Sequence, residues 1–111
     1  FGTDWPAAAY LSTWKPLTQI EVAVTRRLPG RRDLPARNPQ QALTVAQAVR
    51  ALTFGSAYQL GVERELGSLE AGKRADLVML DRDIFTVDPF TIAQARSLLT
   101  MVDGRVVWQA P

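Results

Sequence analysis

The sequence contains no cysteine and no histidine among its 111 residues. Without cysteine, the chain can form neither disulfides nor thiolate metal sites, which is compatible with a reducing compartment. Without histidine, it cannot build the usual zinc ligand sets or a Ser-His-Asp arrangement on its own. Carboxylates, hydroxyls and lysine are therefore the groups left for chemistry within this chain.

The chain also lacks any apolar run close to the roughly 20 residues that span a bilayer, and no charged-then-apolar leader precedes a cleavage site. Hydrophobic residues make up 47% and charged residues 22% of the sequence, which is ordinary for a globular domain. We therefore expect a soluble, cytoplasmic, folded protein with no membrane partner.

The net charge is only +2, and the basic excess lies mainly in one stretch. Prolines and a glycine interrupt this stretch, so it is predicted to be a solvated loop rather than a helix face. It lacks the interleaved aromatic residues of a single-strand binder, and we expect no nucleic-acid partner. The alternative, a basic nucleic-acid binder, predicts a steep loss of affinity with salt. The arginines are Arg26, Arg27, Arg31, Arg32 and Arg37.

The first half of the chain predicts a strand end and two helices. Residues 1–6 read as the tail of a buried strand that delivers Asp4 into a loop. Apolar residues at helical spacing predict a helix over residues 16–27. A second helix is predicted from Thr44 to Leu60, because Thr44 and Gln47 have the spacing of a capping box and a glycine follows Leu60.

The second half predicts strands and tight turns. Residues 70–73 form a turn, and residues 75–80 are apolar enough for a strand buried on both faces. The clearest hairpin joins residues 97–102 to residues 105–108. Asp103-Gly104 between them suits a type I′ turn, in which both central residues need a positive φ.

Asp4 is the best candidate for chemistry. An acid at the C-terminal end of a strand, followed by a loop that begins near a proline, is where α/β barrels place catalytic groups. The strand fixes the backbone, and the loop leaves the side chain open to substrate. One carboxylate alone, however, does not make an active site.

Three stretches carry a family resemblance: residues 2–6 (GTDWP), residues 69–78 (LEAGKRADLV) and residues 100–107 (TMVDGRVV). Together they resemble the C-terminal end of a metal-dependent hydrolase of the amidohydrolase superfamily. The likeness is greatest to the YtcJ-like branch, amidohydrolase family 3, in which residues 23–26 (AVTR) also resemble a recurring segment. The resemblance covers nearly the whole chain.

The resemblance implies an α/β fold in which this chain is the C-terminal fragment of a (β/α)₈ barrel plus part of a small accessory β-sandwich. Residues 1–62 would hold the last barrel strand and two helices, and residues 63–111 the later sandwich strands. Strands and histidine ligands that precede this part in the family are not in the chain. Uncovered sheet edges invite pairing, so a homo-oligomer is expected.

The resemblance also implies the roles of individual residues. Asp4 matches the aspartate that ends the eighth barrel strand, which binds a divalent metal, with zinc the first expectation, and relays a proton from the attacking water. Trp5, Tyr10 and Trp14 could line the substrate pocket or equally serve packing. Asp76 is expected to accept backbone hydrogen bonds near the turn. Lys73 and Arg74 are expected to stay solvated.

The function predicted for the parent protein is hydrolysis of non-peptide C–N bonds in small linear or cyclic amides. The fragment alone is expected to be inactive and to hold no metal. The alternative is a non-catalytic interaction or binding module whose strands only resemble the hydrolase. The coding sequence upstream of Phe1 would separate the two, because further histidines there would favour the enzyme.

Overall fold

The computed structural model describes residues 2–7 and 13–111, which form a mixed α/β fold. The three α-helices are α1 (Pro16–Thr25), α2 (Val45–Leu52) and α3 (Phe54–Gln59). Two short 3₁₀ helices cover Pro39–Gln41 and Pro89–Gln94. The strands are β1 (Leu77–Leu80), β2 (Ser97–Val102) and β3 (Arg105–Gln109). Within the described ranges, no helix is both long enough and apolar enough to cross a membrane.

The strand end expected at the start of the chain is not formed in residues 2–7. Residues 2–4 have no regular structure, and residues 5–7 form a turn. A barrel strand is held by hydrogen bonds to a parallel strand on each side, and the three strands of the described residues pair only antiparallel with one another. The prediction of a barrel strand here is therefore not confirmed.

Helix α1 begins at Pro16, where the missing N–H costs no intrahelical bond. It ends two residues before the predicted boundary at residue 27. Arg26 adopts the left-handed conformation with φ 55°, and its N–H donates to the carbonyl of Val22 at 2.8 Å. The helix buries Ile20 and Ala23 against the rest of the molecule.

The single helix predicted over residues 44–60 is two helices. The capping box is confirmed, with Gln47 N–H donating to Thr44 Oγ1 at 3.2 Å and Thr44 N–H to Gln47 Oε1 at 2.9 Å. The break is at Thr53, whose hydroxyl donates to the carbonyl of Val49 at 2.8 Å, a contact that bends helices. Gly61 follows the second helix with φ 72°, as predicted.

The backbone at Gly67 lies very close to the break between α2 and α3. A Cβ on Gly67 would lie 2.9 Å from the Cα of Phe54 and 2.7 Å from the Cβ of Ala57. Real Cβ atoms do not come so close to other carbons, so only glycine allows this approach. The small residues at the start of α3 therefore serve packing.

The sheet has the order β1-β2-β3, and both pairs are antiparallel. The predicted hairpin turn is confirmed, with φ 50° at Asp103 and 76° at Gly104. The prediction that β1 is buried on both faces is wrong, because Val78 and Met79 are 53% and 51% exposed. These two consecutive residues point to opposite faces of the sheet, so both faces are partly exposed at β1, which is an edge strand.

The buried core combines α1 and α2 with the segment between β1 and β2. Its apolar members are Ile20, Ala23, Ala48, Ile84, Ile92 and Ala95. Glu21 is buried beside them at 2% exposure, and its Oε2 accepts a hydrogen bond from the N–H of Ala93 at 3.0 Å. The core therefore crosses the predicted border between residues 62 and 63. The division into two domains stays a prediction.

The turn at residues 70–73 is confirmed, with Lys73 N–H donating to the carbonyl of Glu70 at 3.1 Å. The expectation that Lys73 stays solvated is wrong, because its side chain is only 11% exposed. Its ammonium donates to the carbonyl of Glu63 at 2.7 Å and to Ser68 Oγ at 2.6 Å. Lys73 thus fixes the loop that carries Gly67, since these acceptors lie on both sides of that residue.

Candidate functional site

Asp4 lies on an exposed bend with a left-handed backbone, φ 51°. Aspartate tolerates this conformation better than most residues. The bend is supported by the N–H of Trp5, which donates to Thr3 Oγ1 at 3.3 Å. The carboxylate is therefore open to solvent, and its catalytic role stays a prediction.

The aromatic residues predicted to line a substrate pocket lie in different settings. Trp5 is 48% exposed beside Asp4, and Trp14 is 65% exposed just before α1. Tyr10 lies outside the described residues. Trp14 lines a cavity of about 850 Å³ between α1 and β1, whereas neither Asp4 nor Trp5 is among the described residues of that cavity. Substrate binding by these residues remains a prediction.

A metal site needs more ligands than Asp4 provides. Across residues 2–7 and 13–111, no three carboxylate, histidine or cysteine side chains are grouped so that they could hold an ion. A structural or catalytic zinc ion takes at least three protein ligands in the usual sites. The residues of this part of the chain therefore do not fit a zinc ion by themselves.

Asp76 has the structural role that its position predicts. Its Oδ1 accepts a hydrogen bond at 2.7 Å from the N–H of Asp103, in the hairpin turn. Next to it, the N–H of Gly104 donates to the carbonyl of Ala75 at 3.1 Å. The entry to β1 is therefore bound to the turn between β2 and β3.

Asp81 is a charged residue whose role the sequence did not reveal. It directly follows β1 and accepts two hydrogen bonds from Arg82, at 3.0 and 3.1 Å, and one from the N–H of Arg96 at 3.0 Å. These bonds, above all those from Arg82, lower the pKa of Asp81 to about 2. Such a strong acid is a poor proton carrier at neutral pH, so Asp81 stabilises the end of the sheet.

We expect the carboxyl of Asp81 to titrate in solution with a midpoint of about 2. Its folded pKa lies below the ordinary value of 3.8, so its contribution to stability is complete above that pH and is lost as the pH falls toward about 2. NMR titration of the carboxyl carbon measures the midpoint. Asp81→Asn should reduce the loss of unfolding free energy as the pH falls below 3.8, and a measured midpoint near 3.8 would contradict the assignment.

The arginine loop, residues 26–37, is irregular as predicted. Arg31 pairs with Asp33 at 2.8 Å, and Arg32 pairs with Asp88 at the start of the second 3₁₀ helix. Each arginine lowers the pKa of its partner carboxyl through these hydrogen bonds. The guanidinium of Arg32 also lies 4.3 Å from the ring centre of Phe90. The loop is thus attached to the segment that follows β1.

Comparison with known proteins extends over nearly the whole chain. The model of the amidohydrolase family matches residues 1–108. An N-substituted formamide deformylase of Arthrobacter pascens is 36% identical over 83% of the chain, which is 16% of that protein. A putative amidohydrolase YtcJ of Bacillus subtilis is 30% identical over 85% of the chain and 18% of the protein. An imidazolonepropionase of Phocaeicola vulgatus is 38% identical over 59% of the chain and 16% of the protein.

These relatives are much longer than the matched region. The chain spans only 16% to 18% of the length of these proteins. No solved structure matches it significantly. The family match nevertheless includes Asp4, the turn at residues 70–73 and the hairpin at Asp103-Gly104, and it shows that the chain belongs to the amidohydrolase family.

Proposed function

We propose that this chain is the C-terminal part of a metal-dependent hydrolase that cleaves non-peptide C–N bonds in small linear or cyclic amides. The observation that carries the proposal is the family match over residues 1–108. The relatives include a deformylase of N-substituted formamides, deaminases and imidazolonepropionases. These names share hydrolytic chemistry on small molecules, and the substrate proposed here belongs to the same broad class.

Asp4 is the residue that this chain contributes to the active site in the proposal. A carboxylate close to an attacking water can accept a proton from it and pass that proton to the leaving nitrogen. The exposed position of Asp4 supports this role, because a buried carboxylate such as that of Glu21 could not reach a substrate. The other ligands of the proposed metal, zinc in the first instance, would come from outside this chain.

The proposal also explains the uncovered sheet. Large apolar residues of all three strands are half-exposed: Val78, Met79, Val102, Val106, Val107 and Trp108. Exposed apolar patches of this kind mark surfaces that another element covers. In the proposed parent, the rest of the accessory sandwich covers them and the barrel supplies neighbours for the opening segment. The separate chain would instead cover them by forming a homo-oligomer.

Parallel assays of the intact protein and of the separate chain test this proposal. We expect the intact protein to hydrolyse N-formyl amines or cyclic amides and to lose the activity after treatment with a chelator. Adding zinc or another divalent ion should restore the activity, and elemental analysis should show that the original metal content has returned. The separate chain should show no hydrolysis and should be larger than a monomer by light scattering. Activity that survives complete metal removal would refute the metal-dependent mechanism.

A further inference from the structure

A second concave site lies between α1 and the arginine loop. It has a volume of about 500 Å³, within the range of pockets that hold small organic molecules. Apolar side chains, among them Val22, Leu28 and Leu34, form part of its lining. Three arginines complete it: Arg26, Arg27 and Arg37.

Two carboxylates that contact the arginine loop are already engaged by other arginines. Asp33, within the loop, binds Arg31 through both of its oxygens, at 2.9 and 2.8 Å. Asp88, across from the loop, pairs with Arg32. Neither of these arginines is among the described residues that line the pocket. Neither carboxylate is therefore paired with a pocket arginine.

The pocket arginines themselves contact only neutral groups in the described part of the chain. Arg26 Nε donates to the carbonyl of Arg37 at 3.1 Å, and its Nη2 to Gln41 Oε1 at 3.4 Å. Arg27 Nη1 reaches the carbonyl of Arg32 only at 3.4 Å, and its Nε is buried with no acceptor. Three positive charges thus border an apolar surface, and no carboxylate of the described residues forms an ion pair with them.

We propose that this pocket binds a small organic carboxylate with a hydrocarbon body. Guanidinium groups prefer carboxylates because two parallel N–H donors match the two oxygens. The apolar lining offers burial to a hydrocarbon chain, which a simple inorganic anion cannot use. The two features together select an amphipathic anion. The proposal does not depend on the hydrolytic activity proposed above, since binding is measured without turnover.

Calorimetric titration of the intact protein that carries this chain tests the proposal with three probes. Octanoate has both the anion and the hydrocarbon, 1-octanol has only the hydrocarbon, and acetate has only the anion. We expect the Kd of octanoate to be at least about tenfold lower than that of either other probe, because both halves of the pocket are used. If 1-octanol bound as tightly as octanoate, the arginines would have no role in binding. If acetate bound as tightly as octanoate, the apolar lining would have no role. No binding of octanoate would overturn the proposal.

Arg37→Gln locates the site. Both contacts to Arg37 use its main chain, as donor to the carbonyl of Arg26 and as acceptor from Arg26 Nε, so the substitution leaves them in place. We expect the Kd of octanoate to rise about tenfold, and Arg37→Lys to give a smaller rise because it keeps the charge. Arg105→Gln removes the same charge from β3, outside the pocket, and should change the Kd less than about twofold. Equal effects of Arg37→Gln and Arg105→Gln would show a non-specific charge effect and contradict the site.

Discussion

Asp4→Asn in the intact protein is expected to lower kcat by about 10³-fold for hydrolysis of an amide substrate. The amide of asparagine has nearly the shape of the carboxylate but cannot accept a proton from water. KM should change little, because the proposed role of Asp4 is proton transfer rather than substrate binding. Steady-state kinetics with matched metal content measures the effect. A loss below about tenfold would contradict the catalytic role of Asp4.

Asp103→Asn is the matched control for this substitution. Both aspartates are exposed, and both have a left-handed backbone, with φ 51° at Asp4 and 50° at Asp103. Asparagine is favoured in such turns, so neither change should strain the backbone. We expect Asp103→Asn to keep activity within about twofold of the parent. A similar loss in both variants would mean that stability, and not proton transfer, explains the result.

Gly67→Ala is expected to destabilise the fold by about 2–4 kcal/mol. One part of the cost is the left-handed backbone, φ 89°. The other part is the contact of the new Cβ with Ala57 Cβ at 2.7 Å and Phe54 Cα at 2.9 Å, which forces α3 and the loop apart. Urea unfolding followed by circular dichroism measures the free energy of unfolding. A cost below about 1 kcal/mol would show that the approach can relax.

Gly72→Ala separates the two parts of this cost. Gly72 has almost the same backbone, φ 92°, but a Cβ there would meet no atom within 4 Å. Only the backbone strain should remain, about 1–2 kcal/mol. The difference between the two variants is then the steric contribution of the Gly67 approach. If both variants lose the same free energy of unfolding, the approach of Gly67 to Phe54 and Ala57 is not a tight contact in solution.

The local sequence was sufficient where an element is specified by its own residues. Thr44 and Gln47 cap α2 by bonds within four residues, and Asp103-Gly104 sets the hairpin by the backbone preferences of two residues. The sequence was insufficient where distant segments decide. The break at Thr53 coincides with the crossing of Gly67, and the burial of Lys73 depends on acceptors at Glu63 and Ser68.

The candidate site divides in the same way. Asp4 was found from a short motif, because a carboxylate next to Trp5-Pro6 is a local signal. Its partners could not be found, since no group of three ligand side chains that could hold an ion occurs among the described residues. The pocket of the arginine loop was also missed. The arginines of the loop were visible in the sequence. Which of them forms an ion pair was not, because the partner of Arg32 is Asp88, more than 50 residues away along the chain.

By itself the sequence determined the family, the helix caps, the hairpin and the candidate aspartate, because each depends on residue types at short spacing. Only the tertiary structure shows which distant charged side chains form ion pairs and where two backbone segments lie close together. Coulomb attraction and steric exclusion act through space, so Asp88 engages Arg32 from a distant part of the chain, and no carboxylate of the described residues pairs with the pocket arginines. Gly67 is required for the same reason, because Phe54 and Ala57 fill the volume that any side chain there would need.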